Sequence, residues 1–245
     1  FAIGVGATGD GTLEILDGAE VQAEVAVVGV DANGTGEVLV DGQGSTWRIE
    51  SDTVNDAPIP LGEGNVVVRN DGQLLVVGHG VLAVADKIAI GSEGQGTMTI
   101  SGGGTVVSDS LDIGGVDPDL GTIQEYLDPN TVFTEGDGEV TVTGAGSNLE
   151  VEDLAVGFAG TGTLNIDQGG LVTSHTAFLG AVADANGTVE VGGGSTWNAG
   201  ANIVVGLWGQ GDLTISGASQ VATSEMYIGG AALDLVAEGE PFDAN

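Results

Sequence analysis

Residues 158–180 read FAGTGTLNIDQGGLVTSHTAFLG, and these 23 residues decide the fold. Leu164 and Ile166 alternate with Thr163, Asn165 and Asp167, the period of two shown by a strand with one buried face. Gly169 and Gly170 break the run, a second short stretch opens at Leu171, and a third closes on Gly180. Strands this short and this close leave no room for a helix between them. Each can pair only with its counterpart in the next repeat, in parallel and in register.

The unit recurs along the chain. A glycine closing an apolar stretch stands at Gly6, Gly29, Gly62, Gly91, Gly114, Gly157, Gly180, Gly206 and Gly229, at spacings of 23, 33, 29, 23, 43, 23, 26 and 23. Four of the eight intervals are 23 and the others exceed it by 3, 6, 10 and 20, so 23 residues make the rung and the excess is surface insertion. The first strand of the unit returns as GTLEILDG from Gly11, GEVLVDG from Gly36, GNVVVRNDG from Gly64, GTMTISGG from Gly96, GEVTVTG from Gly138 and GDLTISG from Gly211. Second strands such as Thr105-Val106-Val107 and third strands such as Leu111-Asp112-Ile113 follow.

The expected architecture is all-β: a right-handed parallel β-helix, or solenoid, of about nine rungs with three short strands per turn. At the usual strand separation nine rungs would make a rod of roughly 43 Å. Residues 1–245 read as one repeat domain, with insertions at about 50–60 and 115–135. A sandwich would lack the constant interval, and a propeller needs a period near 40 residues.

Composition agrees. The chain holds 46 glycines, its hydrophobic share is 41% and its aromatic share 4%, so its core is aliphatic and thin. Thirty-six acidic residues face three basic ones, Arg48, Arg69 and Lys87, for a net charge of −33, which speaks against nucleic acid as a partner. Such a surface calls for screening salt or divalent cations. There is no cysteine, hence no disulfide or thiolate metal site. No apolar run is long enough to span a membrane, so membrane insertion is not expected.

Two strings alternate, one seen in GQGTMTISGGGTV from Gly94 and one in GDGEVTVTGAGSNL from Gly136, the latter sharing its Gly-Ser-x-Trp-type ending with Ser45-Thr46-Trp47 and Ser195-Thr196-Trp197. This pattern resembles the autotransporter-associated repeats of type V secreted passengers and of PEP-CTERM-associated bacterial surface proteins. The resemblance covers essentially the whole chain. It implies a right-handed β-helix at a bacterial cell surface or outside the cell, serving as stalk, adhesin or filament, and it brings no catalytic residue to any position here.

Among candidate sites, the longest insertion gathers Asp117, Asp119, Asp128 and Asn130, clustered oxygen ligands of the kind Ca²⁺ takes. The competing reading, an acidic turn-rich loop stiffened by Pro118 and Pro129, is favoured because no complete calcium-loop pattern is present. Ala32-Asn33-Gly34-Thr35 and Ala185-Asn186-Gly187-Thr188 match a glycosylation acceptor, but match Asn-Gly turn chemistry better. Trp47, Trp197 and Trp208, with Tyr126 and Tyr227, would make a sugar platform if exposed; recurrence at a rung position favours packing instead. His79 and His175 lie 96 residues apart without a recurring acid or serine partner, so no catalytic pair is expected.

The expected function is therefore a non-enzymatic extracellular structural protein: a surface stalk, matrix fibre or filament subunit. The alternatives are an adhesin that holds glycan or protein through its loops, and, behind it, a polysaccharide-active enzyme. The pattern is cut mid-repeat at Phe1 and at Asn245, which predicts a longer coil or end-to-end self-association, since open strand edges need cover.

Overall fold

The computed structural model describes residues 2–7, 9–29, 35–51, 63–69, 72–115 and 135–229. Its strands are β1 (Ala2–Val5), β2 (Gly11–Leu16), β3 (Glu20–Ala23), β4 (Val25–Val28), β5 (Thr35–Asp41), β6 (Thr46–Ser51), β7 (Glu63–Arg69), β8 (Gly72–Gly78), β9 (Val81–Val84) and β10 (Lys87–Ile90). They continue as β11 (Gly94–Ser101), β12 (Thr105–Ile113), β13 (Gly136–Thr143), β14 (Asn148–Val156), β15 (Thr161–Asp167), β16 (Leu171–Leu179), β17 (Asn186–Val191), β18 (Thr196–Val205), β19 (Gln210–Ile215) and β20 (Gln220–Ile228). Every pairing among them is parallel, and the described residues contain no helix.

The result is the expected solenoid. Three columns of strands run along it. One stacks β2, β5, β7, β10 and the second halves of β12, β14, β16, β18 and β20; another stacks β3, β6, β8, β11, β13, β15, β17 and β19. The third stacks β1, β4, β9 and the first halves of the long strands. Among the described residues, counting strands around the coil gives seven complete turns and one partial turn at β5 and β6, where β4 pairs directly with β9. That is slightly fewer than the nine rungs read from glycine spacing. Three strands per turn holds in the first half. In the second half the second and third strands fuse into one bent strand, as in Thr105–Ile113.

The columns also reveal a slip that the spacing hides. The first-strand strings at Gly11, Gly36 and Gly64 lie on the column that later carries the third strands, whereas those at Gly96, Gly138 and Gly162 lie one face further round. The cause is local: β7 and β8 both read as first strands and follow each other across Asn70 and Asp71, so the motif advances one face without completing a turn. Gly62, taken as a rung marker, lies outside the described residues.

Inside, one aliphatic cluster runs without interruption from Val5 to Val205. The alternation produces it: Met98, Ile100, Val140, Val142, Leu164 and Ile166 are all at most 1% exposed, while Thr99, Thr141 and Asn165 between them reach solvent. Burial of each such side chain contributes about 1.5–3 kcal/mol against the entropy of ordering the coil.

The corner glycines are sterically required. Gly114 sits at φ +77°, and a Cβ there would come within 2.1 Å of the Thr161 carbonyl oxygen of the next rung; Gly157 and Gly180 meet Asn186 and Gln210 in the same way. Only glycine combines that backbone with that approach.

Candidate functional site

The residues proposed for calcium, Asp117, Asp119, Asp128 and Asn130, lie outside the described residues, as do Tyr126 and most of the two insertions. Among the described residues no group of three or more His, Asp or Glu is arranged to hold a metal ion. Trp47 and Trp197 are wholly buried in the coil, which places them in the packing role. The Trp197 indole N–H donates to Ser174 Oγ at 3.1 Å. Trp208 stands at a corner and is 40% exposed, and the Tyr227 hydroxyl donates to Glu225 Oε2 at 2.6 Å.

One expectation is corrected. Asn186-Gly187 does not form the turn; it opens β17 in register with Thr161-Gly162, and the turn falls earlier, where Asp184 adopts φ 66° and Ala185 N–H donates to the Val182 carbonyl. The corner glycine stack claims Gly187 for the strand, since a Cβ there would lie 2.0 Å from the Val156 carbonyl oxygen. The other tetrapeptide centres on Asn33 and Gly34, outside the described residues.

The two histidines occupy different corners: His79 follows β8 and His175 sits at the bend within β16. At that bend the structure assembles something the sequence does not announce. Ser108 and Ser110 face Val151 and Asp153, so Asp109 and Glu152 are neighbours on successive rungs, with His175 on the rung after. Burial, then the charges of Asp86, Glu152 and Asp153, hold the Asp109 carboxyl above its ordinary value. Burial and Glu152 push Asp153 up as well, opposed by His175 and by a hydrogen bond from Thr176. The row concentrates negative charge, and Asp109 and Asp153 within it take up protons more readily than free carboxylates would.

Beside it lies a buried ion pair. Lys87 Nζ is 3.1 Å from Asp112 Oδ2, with the two side chains 17% and 8% exposed. Asp112 points away from the core, between Leu111 and Ile113, which point into it. Burial raises its carboxyl, with Lys87 acting in the opposite direction.

Ser45, Ser147 and Ser195 explain the recurring serine of the second string. All three are buried at the turn that joins a first strand to a second; Ser147 and Ser195 share one corner, and Ser45, which precedes the slip, lies at the neighbouring one. Ser147 Oγ accepts from Gly103 N–H of the preceding rung at 3.1 Å and donates to the Thr143 carbonyl at 2.8 Å; Ser45 does the same between Gly18 and Asp41. The hydroxyl thus satisfies an amide that the turn would leave without a partner.

A shallow groove of about 330 Å³ opens where β18 bulges between β16 and β20, lined by Thr173, Ser174, Asn198, Gly200, Thr223 and Ser224.

The chain is 29% identical over 248 residues to an uncharacterized lipoprotein, YdeK, of Escherichia coli. It is similar to one segment of a much larger protein. The match takes in 89% of this chain but 17% of the relative. No family model matches the chain and no solved structure matches it, so the autotransporter-type resemblance stands on the repeat strings. No helix of the described residues is long and apolar enough to cross a membrane.

Proposed function

We propose that this chain is a non-catalytic structural segment of a bacterial envelope protein, a stiff β-helical stalk or filament unit displayed outward from the cell. One observation carries the reading: the unbroken aliphatic core from Val5 to Val205 ties every rung to the next. A rod of this construction transmits position and force along its axis. That the relative is a lipoprotein supports an envelope location.

The last described rung supports axial continuation. Ile228 is 76% exposed, Ile215 48% and Met226 40%, although each belongs to a column that is buried in the preceding rungs. Among the described residues, the edge strands β19 and β20 each pair on one side only. Cover by further coil, from the same polypeptide or from a second copy, would bury them. Cation bridging between acidic loops, Ca²⁺ included, would offset the repulsion between stacked units.

A second reading, an adhesin, draws on the groove at Thr173, Asn198 and Ser224, whose hydroxyl and amide groups suit a glycan. Electron microscopy of the purified protein with and without a calcium chelator tests the first. Calcium-dependent fibres are expected; short dispersed rods in both conditions would remove self-assembly and leave the adhesin in front.

A further inference from the structure

From the setting of Lys87 and Asp112, we propose that the two side chains condense to an intramolecular isopeptide bond that locks two successive rungs together. Lys87 lies in β10 and Asp112 in β12, strands paired so that Lys87 faces Ser110 and Asp112 is two residues further on the same outward face. The nitrogen and the carboxyl oxygen are already 3.1 Å apart. Among the described residues Oδ2 has no hydrogen-bond partner besides this contact with Lys87.

The environment favours the product. An ammonium and a carboxylate held away from water carry a desolvation penalty that their attraction only partly repays, whereas an amide is neutral. The pair also contains all the atoms required. Asp153, which faces Ser110 from the rung beyond and whose charge acts on Asp112, takes a proton from Lys87 Nζ. The freed amine attacks Cγ of Asp112, the new C–N bond forms, and the C–O bond to the departing oxygen breaks. That oxygen leaves as water after receiving the proton from Asp153 and the second proton lost by nitrogen. Nothing is oxidised or reduced, and no co-reactant is consumed. Asp153 serves as a proton carrier, a role suited to a carboxylate whose hold on a proton is strengthened by burial.

Lys87 is the single lysine of the sequence, which makes the test sharp. Mass spectrometry of the intact denatured chain should find it lighter than its sequence by one water, and a lysine-specific protease should leave it whole. Asp112→Ala should restore the full mass and yield two fragments split after Lys87. Asp153→Asn, which keeps the size of the side chain, should slow the loss of water in freshly made protein while circular dichroism stays that of the parent. Full mass together with complete cleavage of the unaltered, denatured protein would overturn the proposal and leave an ordinary ion pair. Because that measurement needs no variant, a failure of Asp112→Ala to fold would not obscure it.

Discussion

Removing the hydroxyl of Ser147 takes a hydrogen bond from both sides of a buried corner, leaving Gly103 N–H without its acceptor. Ser147→Ala is therefore expected to lower unfolding free energy by about 1–3 kcal/mol, read from urea midpoints, and Ser45→Ala by a similar amount. The column that holds Trp197 offers an internal control, because Val172 and Leu149 fill the same place in the two rungs before it. Trp197→Leu should cost less than Trp197→Ala, for which about 3–5 kcal/mol is expected; equal losses in thermal unfolding would contradict the packing role. Glycines differ in the same graded way. Gly194→Ala meets only the positive-φ penalty, since nothing lies within 4 Å, whereas Gly114→Ala also drives a methyl into Thr161 and should prevent the soluble protein from forming. At this scale the sequence was partly readable. Serine and tryptophan announced themselves by recurring, but their partners are set by the rung below, which spacing alone does not identify. Lys87 and Asp112 gave no signal at all, because a contact between residues 25 positions apart depends on a register that only the stacked coil defines.

At the scale of strands, each rung depends on its neighbours and on nothing further away, so a whole rung is a removable unit. Deleting residues 158–180 joins Gly157 to Ala181 and brings β14 against β17 and β18 in the arrangement it now has with β15 and β16. The shortened chain is expected to keep its β-sheet circular dichroism per residue and to lose urea m-value in proportion to the surface removed. Loss of cooperative unfolding would contradict it. The period of two at Leu164 and Ile166 made these strands legible, and the 23-residue interval made their stacking legible. The slip at β7 and β8 was not, since both strands carry the pattern of a first strand and alternation does not encode which face of the coil a strand occupies. Fusion of second and third strands was equally hidden, because it turns on whether the bend breaks hydrogen bonding.

For the molecule as a whole, pH is the informative variable. Asp109 and Asp153 are both held above the ordinary value of 3.8 by burial first of all. The folded chain thus binds protons more tightly than the unfolded one between that value and the raised ones. Stability from these groups is present below the unfolded value and lost as pH rises through the folded values. Acidification from neutral toward pH 4 should consequently raise the melting temperature, and added salt at neutral pH should do the same by screening a net charge of −33. A melting temperature that falls on mild acidification would show that these carboxyls are not held as the structure has them.

The one-face advance at β7 and β8 gives the rod two bearings. Groups attached after the first-strand motif leave one flank in the N-terminal rungs and the adjacent flank in the C-terminal ones. A repetitive sequence that would otherwise decorate a single side is thereby made to address two directions about one axis.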